Sequence, residues 1–297
     1  MVEGRRILTL DRPSPDTAAV PQRMERKAPA FVGSEPLTLA FDISKHTTLV
    51  SVSSGGRKSY QTPRSYEAGK DILAAARRDL LGDERPDAVV GSVAGKVSED
   101  GERIEVAGAL ERYGYVGQRF AEDVADVMGQ SQERVLVLSR DSAGANAERS
   151  VQPVRDRDGA YLRWNSNQGR LRGAVYTPEG WIIPHEERKG KSLVKLMDAT
   201  YTTYRRANLD VAIVAFPESA DEIREELADH MQTNWGLYAP TAPEIVEAHF
   251  REDSPLGGAE KAAKQLAEKL AGQDVKPPTV LYDGVNAQEL KDRRSAR

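Results

Sequence analysis

One order of elements occurs twice in this chain: a hairpin built on a buried strand, followed by helices that alternate with further strands. In the first copy, Leu37 to Asp42 has the make-up of a buried strand, and Thr47 to Ser53 alternates with β-branched residues. Gly55 and Gly56 turn the chain into Lys58 to Gln61. Tyr66 to Leu81 carries Ile72, Leu73, Ala76 and Leu80 on one helical face. Asp87 to Val93 reads as a strand ending in Ala94-Gly95, and Val116 to Met128 as a helix aligning Phe120, Val124 and Val127. Arg134 to Ser139 is a fully buried strand, and Asp141 stands where it would cap the next helix.

In the second copy, Tyr161 to Trp164, Leu171 to Tyr176 and Trp181 to Ile183 form three short antiparallel strands, with turns at Gln168-Gly169 and Pro178-Glu179-Gly180. Ser192 to Asn208 reads as a long helix and Leu209 to Phe216 as a buried strand. Ser219 caps a helix to Met231, with Glu222 completing a capping box, and Gly257 to Leu270 is an Ala-rich closing helix. Two related α/β lobes with mixed sheets follow, an N-terminal lobe over 37–150 and a C-terminal lobe over 151–271. Residues 1–36, with Pro13, Pro15, Pro21 and Pro29, read as a flexible N-terminal extension. Residues 272–297 read as a mobile tail, the alternatives being one added strand through Thr279-Val280-Leu281-Tyr282 or docking on a partner.

Composition closes off several functions. The chain has no cysteine, which excludes disulfides, thiolate metal sites and cysteine nucleophiles, and its four histidines make a histidine-built metal site improbable. A formal charge of −4 gives no general electrostatic basis for nucleic-acid binding. The longest apolar runs, such as Val211 to Phe216, are too short to span a bilayer, and no apolar signal core follows Met1. The expectation is a cytoplasmic protein without nucleic-acid or membrane partners. Against this acidic balance, Arg149, Arg155, Arg157, Arg163, Arg170 and Arg172 cluster in one stretch. Such a cluster is either a solvated surface or a seat for phosphate, since arginine meets anions with bidentate geometry.

The order and several motifs resemble the ROK family of sugar kinases, within the sugar-kinase, heat-shock-protein and actin superfamily. The family opens with a strand and an Asp-Ile-Gly-Gly-Thr turn that grips phosphate; the similar stretch here is Asp42-Ile43-Ser44-Lys45-His46-Thr47, with both glycines replaced. Val90-Gly91-Ser92-Val93-Ala94-Gly95 resembles the family's next strand and small-residue turn. The fullest likeness is Val135 to Glu148, which is similar to the family's buried strand and Asn-Asp-Ala-Asn-Ala helix start, with Arg140 in place of the asparagine. Asn165 to Gly173 resembles the second phosphate loop, keeping Gly169 and Gly173 but adding Arg170 and Arg172. The adenosine-side glycine turn is replaced by Phe216-Pro217-Glu218, and Pro184-His185-Glu186 stands where many members have a segment leading to a cysteine-rich zinc site.

What the resemblance implies is a two-lobed actin-like ATPase (ribonuclease H-like) fold of mixed sheets flanked by helices around an interlobe cleft. It implies ATP-dependent phosphoryl transfer to a sugar or polyol hydroxyl with Mg²⁺, in a family whose members commonly form homodimers; lacking cysteine, this chain departs from the family's zinc site, and no zinc is expected. Asp141 would be the catalytic base. Asp42, Lys45, Thr47, Gly169, Arg170, Arg172 and Gly173 would hold nucleotide phosphates, with Asp42 also holding Mg²⁺ through water. Gly95, Asn146, His185 and Glu186 would line the substrate. Phosphoryl transfer rests on positioning and charge neutralisation, so altered nucleotide motifs count against ordinary kinase activity. The alternatives are a catalytically impaired pseudokinase that binds a ligand or partner, or a different chemistry in the same cleft.

Overall fold

The structure is a computed structural model that describes residues 35–98, 101–151, 157–165, 169–198, 211–214, 220–235, 244–250 and 253–280. The first sheet starts with an antiparallel meander of β1 (Thr38–Ile43), β2 (Thr47–Val52) and β3 (Arg57–Gln61). After α1 (Tyr66–Leu81), β4 (Ala88–Val93) pairs parallel to β1, and β5 (Lys96–Val97) and β6 (Ile104–Val106) form a small separate hairpin. After α2 (Phe120–Met128), β7 (Val135–Ser139) adds parallel to β4, and α3 (Arg140–Glu148) follows directly. The sheet order is β3-β2-β1-β4-β7. Every residue of β1 and β4 is buried, as central strands covered on both faces require.

The second sheet repeats the plan. β8 (Gly159–Asn165), β9 (Arg170–Tyr176) and β10 (Trp181–Lys189) make the meander, and α4 (193–198) follows. β11 (Val211–Val214) pairs parallel to β8, α5 (Ala220–Trp235) follows, and β12 (Glu244–Glu247) pairs parallel to β11. α6 (Ser254–Leu270) and β13 (Thr279–Val280) close the described chain, and the order is β12-β11-β8-β9-β10-β13. Without β13, the two sheets have the same topology: meander on one side of the first strand, parallel strands on the other. The duplicated order read from the sequence is therefore real, and the architecture is the expected one of mixed sheets flanked by helices.

Local chemistry explains the element ends. Ser65 caps α1 by accepting from the Ala68 amide, and Gly82 ends it at φ 59°. α2 begins four residues later than the periodicity predicts, because Gly114 (φ 81°) and Gly117 (φ 80°) hold left-handed turns that a continuous helix forbids. The tail from residue 272 does add a strand: β13 pairs parallel to β10, and Val280 packs against core residues of both halves. The cap at Ser219 and the residues beyond 198 of the expected long helix lie outside the described residues.

The two terminal helices sit between the sheets. The small face of α6 (Ala259, Ala262 and Ala263, with Leu256) covers Ala40, Val90 and Leu138 of the first sheet. On its other side α3 packs Ala145 against Tyr161, Ala174 and Tyr176 of the second sheet. Each half thus closes with a helix that touches the other half's layer, and the site residues of α3 face both sheets.

Candidate functional site

In open α/β sheets, ligands bind beyond the carboxyl ends of the parallel strands. Asp42 lies near that end of β1, in register with Ser92 of β4, and is 2% exposed. Its Oδ1 accepts from Ser92 Oγ at 2.9 Å and from Arg140 Nε at 3.0 Å. Burial pushes the Asp42 carboxyl above its ordinary range, and the Arg140 guanidinium and the Ser92 hydroxyl pull against that rise.

Asp141 is not the helix cap that the sequence suggests. Ser139 caps α3, its Oγ accepting from the Ser142 amide at 3.1 Å, which leaves the Asp141 side chain free in the first turn. That carboxylate turns to β8. Its Oδ1 accepts from Arg163 Nε at 2.9 Å, and Nη2 of the same guanidinium lies 2.7 Å from it. Burial opposes the charge on Arg163, but Asp141, Tyr161 and Asp42 together hold the guanidinium above its usual range. The result is two carboxylate–guanidinium pairs, Asp42–Arg140 and Asp141–Arg163, that link β1, α3 and β8.

The first phosphate-type turn is closed on itself. Ser44 Oγ accepts from the amides of Thr47 (3.0 Å) and His46 (3.4 Å) and donates to the Thr47 carbonyl (2.8 Å), which also accepts from the Ser44 amide. Three amides of the turn, those of Ser44, His46 and Thr47, are spent inside the loop rather than offered to a phosphate. Lys45 and His46 are exposed at its tip. In the second loop, Arg172 lies opposite Arg163 and Arg170 opposite Asn165, so these cations share one face of the β8–β9 hairpin. The two retained glycines there have packing reasons. A Cβ on Gly173 would fall 2.0 Å from the Tyr161 carbonyl oxygen, and one on Gly169 (φ 58°) would fall 2.5 Å from that of Gly190.

The residues expected to line the substrate divide similarly. Gly95 sits where a Cβ would meet the Val106 carbonyl oxygen at 2.3 Å, so it permits the β5–β6 hairpin to approach. Asn146 is 0% exposed: its amide donates to the Gly258 carbonyl at 2.9 Å, and its Oδ1 accepts from Arg149 Nε at 2.9 Å. It acts as a latch between α3 and α6. Asn146→Ala should cost about 1–3 kcal/mol in urea unfolding, as expected when buried partners lose a hydrogen bond. His185 and Glu186 lie in β10, where the pairing with β9 becomes irregular between His185 and Arg188; their side chains fall outside what the structure describes.

A Mg²⁺ ion at Asp42 would meet an Oδ1 already held by Arg140 and Ser92. Among the described residues no group of three or more potential ligands is gathered for a metal. No described helix is long and apolar enough to cross a membrane. The sequence reading missed three residues: Arg163, seen only as one of a basic cluster, Ser44, noted only as a lost glycine, and Glu148. Arg163 could have been found from strand alternation, which places it on the same face of β8 as the buried Tyr161.

No protein-family model matches the sequence, and no curated protein matches it. Solved structures do match its shape. A ROK family protein from Streptococcus pneumoniae, solved with sucrose, aligns over 78% of this chain and 99% of its own at TM-score 0.57 and 14% identity. The ROK hexokinase of Thermus thermophilus aligns over 76% and 97% at TM-score 0.54 and 14% identity. A ROK glucokinase from Streptomyces griseus, solved with glucose and AMPPNP, aligns over 77% and 99% at TM-score 0.50 and 15% identity. The chain has the ROK-type sugar-kinase fold.

Proposed function

We propose that this protein binds a neutral sugar or polyol on a sugar-kinase scaffold without transferring phosphate to it. The observation that carries the reading is the ion pair of Arg163 with Asp141 Oδ1. A general base must offer a lone pair to the hydroxyl proton, and here a guanidinium of the chain itself holds one of the two carboxylate oxygens. The closed Ser44 turn and the cation-held Asp42 support the same conclusion on the phosphate side. Each of the two carboxylates is neutralised by an arginine of the chain, which leaves no bare anionic pair to gather the metal of a nucleoside triphosphate, whereas sugar hydroxyls need none. Sugars found in two of the similar structures support the ligand class.

The test pairs a thermal-shift screen with an assay for ADP release. Glucose, sucrose and other neutral sugars or polyols form the panel, each with and without Mg·ATP. The expected result is a rise in Tm with at least one polyol, no rise with Mg·ATP, and no sugar-dependent ADP. Sugar-dependent ADP release that disappears in Asp141→Asn would establish the kinase instead.

A further inference from the structure

We infer that Arg140 and Arg163 are built-in counter-cations, which neutralise the cleft carboxylates in the place of a divalent metal ion. The inference rests on the reading that the site does not transfer phosphate, and it explains what makes the site silent. Asp42 is almost fully buried and Asp141 is one-fifth exposed by its side chain, so both need compensating charge. Each receives it from one guanidinium at 3.0 Å or less, and Arg163 lies near enough to act on Asp42 as well.

The arrangement also shows what these arginines displace. Magnesium-type ions are commonly held by one or two carboxylates, with water filling the remaining positions. Asp42, with the Ser92 hydroxyl beside it at the strand ends, is the carboxylate that such an ion would use once the guanidinium groups are withdrawn. Arg140 comes from the residue next to Asp141, and Arg163 comes from the other sheet. The two cations therefore pin α3 to both layers. Polyol binding by the natural protein should accordingly be indifferent to chelators and to added divalent ions.

The experiment is a Mn²⁺ titration followed by electron paramagnetic resonance and thermal shift. It uses the natural chain, Arg140→Gln/Arg163→Gln, and the same double variant carrying Asp42→Asn. The natural chain should leave millimolar Mn²⁺ free. The double variant should bind one Mn²⁺ with a dissociation constant on the order of 1 mM or tighter, with a rise in Tm, and Asp42→Asn should abolish both. A folded double variant that leaves Mn²⁺ free overturns the inference, as does Mn²⁺ binding of equal strength by the natural chain. A double variant unfolded in buffer but folded with Mn²⁺ supports it. One that stays unfolded in both overturns it, because an ion able to take the arginines' place would restore the fold. Failure of this titration leaves the no-transfer reading standing, and ADP release by the natural chain would sink that reading whatever the Mn²⁺ signal.

Discussion

Gly258→Ala is expected to destabilise the protein by about 3 kcal/mol or more in urea unfolding, at the upper end of overpacking costs. A Cβ at this position would lie 1.6 Å from the Ala143 carbonyl oxygen, 2.4 Å from its carbonyl carbon and 3.1 Å from its Cα. All three are backbone atoms of α3, so no rotamer change relieves the clash and the two helices must separate. That separation would also strain the Asn146–Gly258 hydrogen bond and the Ala40, Val90 and Leu138 contacts beneath α6. The neighbouring glycine supplies the control. A Cβ on Gly257 meets nothing closer than the Phe250 ring at 3.5 Å, an ordinary contact. Gly257→Ala should therefore be neutral or stabilising by up to ~1 kcal/mol through helix propensity. If both variants unfold at the natural midpoint, the close crossing of α3 and α6 is wrong.

The Gly-Ala face of α6 shows how far the sequence could be read. Its spacing marks a helix with one small-residue side, but nothing local says that the side meets the first sheet rather than the strands just before it. The duplicated strand and helix order was legible because buried strands and helical periodicity are local patterns. Short pieces were not: β5 has two residues and β12 has four with glutamate at both ends, too few to show a period. Asp42 and Asp141 stand on the elements read from the sequence, whereas Arg170, His185 and Glu186, read outside strands, lie within β9 and β10; the partners of all of them depend on topology. Asp141 was expected to cap α3 because it is a good capping residue at a helix start, and Ser139 two positions earlier wins that role. Its actual partner, Arg163, is 22 residues away on a strand of the other sheet. Ser44 reads as a missing glycine until its hydroxyl is seen to close the turn.

Glu148→Ala should be the most damaging polar substitution in the helix pair, at about 3–4 kcal/mol, the range for removing a charged acceptor from buried donors. The side chain is 2% exposed, and its two oxygens accept from the His249 amide (3.0 Å), the Phe250 amide (3.1 Å) and Ser254 Oγ (2.8 Å). Ser254 is itself fully buried at the start of α6, so its hydroxyl depends on protein partners. Glu148→Gln keeps one good acceptor but aims an N–H₂ at remaining donors, and about half the loss is expected. Ser254→Ala removes one bond of the three, and a double-mutant cycle with Glu148→Ala should give a coupling of ~1 kcal/mol or more, as contacting residues in one network do. A cost below ~1 kcal/mol for Glu148→Ala would show that the anchor is not formed. The comparison with Arg163→Gln then separates stability from binding along one nine-residue helix. Asp141 occupies its first turn and Glu148 its last residue. Arg163→Gln frees the cleft carboxylate and should change polyol affinity with a modest stability loss. Glu148→Ala should lower the unfolding midpoint and leave the affinity of the folded fraction as it was.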